Sequence, residues 1–169
     1  MNTSDPQSQP PRWKRWFGHR ALSRPAQLSG GVVIQLQPLI RRWNSERIKL
    51  LPPESPANVA AAFERLGSKA TRDVVELFSA LGGMDDMDSR YLKLWGLHEI
   101  ECENTVHSEF GPIFADYLIS CWCFRLRPVD DETSAVYVDH FNRPPQRVAS
   151  SLTEFLATYE RDPQAVHAW

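Results

Sequence analysis

Apolar residues recur at helical spacing from Ser55 onward. Val59, Ala62, Phe63 and Leu66 form one buried stripe, with Gly67 as its C-terminal stop. A second stripe over Thr71 to Leu81 uses Val74, Leu77, Phe78 and Leu81, and Gly82-Gly83 closes it because glycine accepts left-handed backbone. Two helices joined by a few residues predict an antiparallel pair. The period then changes. Tyr91-Leu92-Lys93-Leu94-Trp95 alternates as a strand ended by Gly96, and His98 to Asn104 reads as a short helical turn. Ile113 to Tyr117 and Ile119 to Arg127 are rich in β-branched and aromatic residues, as strands are. In the second, Trp122, Phe124 and Leu126 share one face, while Cys121, Cys123, Arg125 and Arg127 share the other. Pro128 to Glu132 is a polar turn, and Ser134 to Phe141 returns as the partner strand of a hairpin. After Arg143-Pro144-Pro145 and a short extended piece at Arg147-Val148, Ser151 and Glu154 form a capping box. Leu152, Phe155, Leu156 and Tyr159 follow on one helical face, which Asp162-Pro163 ends.

The order helix pair, sheet, helix predicts an α+β fold: one mostly antiparallel sheet covered by an N-terminal helix pair and a C-terminal helix. The N-terminal third is less regular. Residues 1–30 carry Pro6, Pro10, Pro11 and Pro25 and end in Ser29-Gly30-Gly31, the pattern of a flexible basic leader. Val32 to Ile40 is apolar but contains Pro38, which leaves strand and short helix both open. Leu39 to Trp43 could form one amphipathic turn. Residues 31–50 therefore read as a connecting segment with room for a short helix, and 51–169 as the α+β domain.

Composition fits this division. Of 169 residues, 42% are hydrophobic, enough for one core, and no window approaches the ~18 consecutive apolar residues of a membrane span. Met1 to Pro11 lacks the apolar stretch of a secretory signal. Three cysteines exclude a fully paired disulfide scaffold and favour a reducing, cytoplasmic setting. Charge is uneven. Residues 1–50 hold nine Lys/Arg against two acids, a balance of +7, and residues 51–169 hold ten against nineteen, a balance of -9. In the leader, Arg12, Trp13, Lys14, Arg15, Trp16 and Arg20 interleave cations with rings, a mixture that can hold phosphates and bases, sit at a membrane surface, or dock on the domain's own acidic face.

The motifs from Leu51 onward resemble the SUKH superfamily. They are Leu51-Pro52-Pro53 before a helix pair ending Leu81-Gly82-Gly83, then Leu92-Lys93-Leu94-Trp95-Gly96-Leu97-His98-Glu99-Ile100 with Asn104. Ile113-Phe114-Ala115-Asp116-Tyr117-Leu118-Ile119 and the segment Val148 to Leu156 resemble its second half. The similarity spans about residues 51–163 and rests on the order and spacing of loose motifs. It implies a non-enzymatic binding domain without cofactor. Yeast members are cell-wall assembly regulators that act as interaction hubs, and many bacterial members resemble immunity proteins that neutralise a toxin by binding it. The expected function is immunity of that kind, with a generic interaction hub, or nucleic-acid or membrane-surface binding through the leader, as alternatives.

Candidate chemistry adds one surface. His98, Cys102, His107, Cys121 and Cys123 are of metal-ligating type, but no CxxC pair exists, so no metal site is expected. Asp85-Asp86-Met87-Asp88 lacks the glycine and distal glutamate of a calcium loop. No nucleophile elbow, phosphate-cradling loop or HExxH helix is present, so no catalytic set is expected. The acids Asp85, Asp86, Asp88, Glu99, Glu101, Glu103, Asp130, Asp131 and Glu132 are either solvated loops or an acidic docking surface for a protein partner, such as a basic toxin domain.

Overall fold

The structure is a computed structural model that describes residues 31–166. The leader, with Arg12, Trp13, Lys14, Arg15, Trp16 and Arg20, lies outside the described residues. Gly31–Ser45 (α1), Pro56–Arg65 (α2) and Arg72–Ala80 (α3) precede the first strand, Leu92–Leu94 (β1). Leu97–Glu103 (α4), Ile113–Tyr117 (β2), Trp122–Pro128 (β3), Ser134–Asp139 (β4), Gln146–Ala149 (β5) and Leu152–Arg161 (α5) follow. The five strands lie side by side in chain order, and every neighbouring pair is antiparallel. This is the expected α+β arrangement.

Register carries the core. Phe124 pairs with Val138 and Leu126 with Val136, which puts all four on the face that α5 covers. Phe155 lies 4.8 Å from Phe124 and 5.9 Å from Phe114, ring centre to ring centre. Burying a side chain of this size contributes about 1.5–3 kcal/mol. α2 and α3 pack through Phe63 and Phe78, 6.2 Å apart. Ser55 and Ser151 cap α2 and α5 by accepting the amides of Asn58 and Glu154. The Glu154 carboxylate accepts the amide and hydroxyl of Ser150, one residue before the cap.

Three sequence expectations change. The segment from Gly31, read as a connection with a short helix, is a fifteen-residue helix packed on α3 and α5. Its Val32, Leu36, Leu39 and Trp43 are buried, and that stripe offsets the cost of Pro38 inside the helix. Gly82 and Gly83 do not form a left-handed helix cap, because Leu81 leaves α3 in extended backbone. They allow close approach instead: a Cβ on Gly82 would sit 2.0 Å from the Pro52 carbonyl oxygen, and one on Gly83 2.7 Å from the Gly96 nitrogen. Finally, Tyr91, Ile119 and Phe141 lie outside the strands, with φ of 68°, 52° and 61°.

Candidate functional site

The nine acids of the expected docking surface do not form one surface. Asp85 and Asp86 are exposed in the turn before β1, whereas Asp130, Asp131 and Glu132 are exposed in the turn between β3 and β4. The start of β1 pairs through β2 with the start of β3, so the first turn closes, at Asp88 to Tyr91, at the opposite end of the sheet from the β3–β4 turn. Asp85 and Asp86 run along the outer edge of β1, where Met84 N donates to the Leu94 carbonyl. The seven residues of β3 span the ~20 Å between the two ends. Glu99, Glu101 and Glu103 lie on α4, which packs on α2 and β2. Most of these acids also have partners: Glu99 with Lys93 at 2.7 Å, Glu101 with Arg65 at 2.5 Å, Asp131 with Lys69, and Glu132 with Arg72 at 3.1 Å. Asp130 accepts the amides of Glu132 and Thr133 and so folds its own turn. Glu103 is exposed.

Asp88 is a different case, and its assignment to the docking surface is corrected. Its side chain is fully buried. Five donors converge on it. Oδ2 accepts Arg42 Nη1 at 3.0 Å and Trp43 Nε1 at 2.7 Å, and Oδ1 accepts the amides of Arg90 at 2.9 Å and Leu92 at 3.0 Å. The Tyr159 hydroxyl lies 2.8 Å from both oxygens. One carboxylate thus ties α1, the turn before β1, and α5 together. Burial and the Asp88 charge push the Tyr159 phenol well above its usual range. Burial pulls the Arg42 guanidinium down, but Asp88 and Glu46 outweigh it and raise it.

Two further buried aspartates act in the same way at the same end of the sheet. Asp116 Oδ1 accepts the Ser120 amide at 2.6 Å, and Asp139 accepts the Phe141 amide at 2.8 Å and Arg125 Nε at 2.7 Å. A side-chain acceptor that captures a nearby amide competes with the strand ladder, which is why β2 and β4 stop at these points. Each aspartate holds a loop at this end of the sheet, entering β1 or leaving β2 and β4, that passes through left-handed backbone. Tyr91 (φ 68°) follows Asp88, Leu118, Ile119 and Ser120 (φ 53°, 52° and 59°) follow Asp116, and Phe141 (φ 61°) follows Asp139. None is glycine, and each such residue costs about 1–2 kcal/mol.

One large apolar side chain is exposed in each loop, beside the exposed polar Ser89, Ser120 and Asn142. Tyr91 is 54% exposed, Ile119 82% and Phe141 58%. The Leu118 amide donates to the Tyr91 carbonyl, joining the first two loops. Behind them Trp122 stacks on Tyr117 at 5.5 Å and meets the His140 ring edge-on at 5.4 Å. With neighbouring strands about 4.8 Å apart, the three tips span ~15 Å. Sequence reasoning assigned all three to strands. The missed signal is an aspartate two or three residues before each exposed tip, with no glycine between.

The metal-type residues are dispersed. Cys102 Sγ lies 3.8 Å from His98 Nε2 on the exposed face of α4, and Cys121 is exposed. Cys123 is buried in a row between Asp116 and Asp139, and burial together with those charges pushes its thiol up to about 12. Among the described residues, no group of three or more His, Cys, Asp or Glu is placed to hold a metal ion, and no helix is long and apolar enough to cross a membrane. Compared with known proteins, the chain matches no family model and no curated protein.

Proposed function

We propose that this is a non-enzymatic protein-binding domain of the SUKH kind, acting as a bacterial immunity protein that neutralises a cognate toxin by direct contact. One observation carries the reading. Asp88, Asp116 and Asp139 each hold a strained loop in place by accepting backbone amides. Carboxylates engaged in this way fix a surface in advance, and a preformed surface loses less entropy on binding. The buried thiol of Cys123, raised to about 12, has little thiolate near neutrality and is a poor nucleophile. The order of the motifs from Leu51 to Leu156 supports the SUKH likeness. The net acidity of residues 51–169 suits an encounter with a cationic toxin domain.

Co-expression with the product of the neighbouring gene tests this. Rescue from toxicity and a complex that survives gel filtration are the expected results. Absence of both would overturn the reading.

A further inference from the structure

We infer that the end of the sheet bearing Tyr91, Ile119 and Phe141 is the interface, and that it seats in an apolar concavity of a partner protein. The inference rests on the protein-binding reading above and adds the surface and the shape and chemistry of its partner.

The exposed parts of the three side chains amount to roughly 400 Å², within the range of the largest apolar patch on a typical monomer, where such a patch is often functional. Tyr, Phe and half-buried Trp122 are also the residue types enriched in interface cores. A connecting loop gains nothing from exposed apolar residues in left-handed backbone. A binding surface does, because aspartate-held tips are already in place when the partner arrives.

Shape and charge select the partner. About 800 Å² per partner is needed for a standard interface, so three projecting tips reach that size only inside a surface that curves around them. A second copy would bring tips against tips and bury less. The rim carries both signs. Exposed Asp86 precedes Tyr91 in the same turn, where Asp85 is paired with Lys49 at 4.0 Å, whereas Arg143 and exposed Arg147 follow Phe141. Arg90, beside Tyr91, is engaged with the Glu160 carbonyl at 2.8 Å. A lipid surface presents one sign of charge and would repel half of this rim, while a protein concavity can be cationic opposite Asp86 and anionic opposite Arg147.

The test uses the full chain and the product of the neighbouring gene, titrated calorimetrically. Ile119→Asp and Phe141→Ser alter exposed tips, so circular dichroism should show both variants folded. Each should weaken binding by about 30-fold or more, the loss expected at the centre of an interface. Asp131→Asn with Glu132→Gln, at the opposite end, should change it less than about threefold. If the wild type binds and the tip variants bind equally well, this inference fails and the protein-binding reading stands. If the wild type does not bind, both fail. Tip-dependent flotation with 3:1 phosphatidylcholine:phosphatidylglycerol vesicles, or a dimer in sedimentation that Ile119→Asp dissolves, would also overturn it, in favour of a membrane or a second copy.

Discussion

Replacing Asp88 with alanine probes the joint between α1, the Tyr91 loop and α5. The substitution removes a fully buried carboxylate and strands the Trp43 indole N–H, the Tyr159 hydroxyl and the amides of Arg90 and Leu92. Arg42 keeps Glu46 at 3.1 Å and Glu160 at 3.4 Å, so its charge is not left alone. Each buried donor left without an acceptor costs about 1–3 kcal/mol. These losses overlap and relax, which gives a net destabilisation of about 4 kcal/mol. With a urea dependence near ~2 kcal/mol/M, the unfolding midpoint should fall by ~2 M. Tyr159→Phe, which removes one donor and leaves the carboxylate its other four, should cost about 1 kcal/mol. Urea denaturation followed by tryptophan fluorescence measures both. An Asp88→Ala midpoint within ~0.5 M of wild type would refute the role of Asp88 as the joint.

Three further outcomes follow from the same contacts. The amide and hydroxyl of Ser150 hold the Glu154 carboxyl below its ordinary 4.5, so its contribution is present above that pH and lost as pH falls through the lower folded value. Glu154→Gln should therefore cost about 0.5–1 kcal/mol at pH 7, a difference that shrinks on acidification; a pH-independent difference would contradict the capping role. Iodoacetamide at pH 8 should modify exposed Cys102 and Cys121 and spare Cys123 until urea is added, which mass spectrometry reads as two adducts becoming three. Ile119→Asn should raise stability by about 0.5–1 kcal/mol, because asparagine tolerates the left-handed backbone that a β-branched residue resists. Equal or lower thermal stability would remove the strain from the account.

Much of the fold was legible because periodicity records burial. The stripes of α2, α3 and α5 and the alternation of Phe124 and Leu126 report which side chains leave water, and the register of β3 with β4 follows from them. α1 was obscured because Pro38 breaks local helix propensity, while the packing of Leu36, Leu39 and Trp43 that overrides it is tertiary. The candidate site was hidden for a related reason. Ile119 and Phe141 have strand-forming side chains, and only contacts with Asp116 and Asp139 turn their backbone out of the sheet. Acidity was visible as a count along the chain, but topology divides it between the outer edge of β1 and the β3–β4 turn and buries Asp88 within the core.

Hydrogen exchange on the complex between this chain and the product of the neighbouring gene tests the central claim most directly. The account predicts that binding slows exchange at residues 89–92, 118–121 and 140–143 and leaves 130–133 unchanged. Slowing confined to 130–133 and α4, with the three apolar loops unaffected, would contradict it.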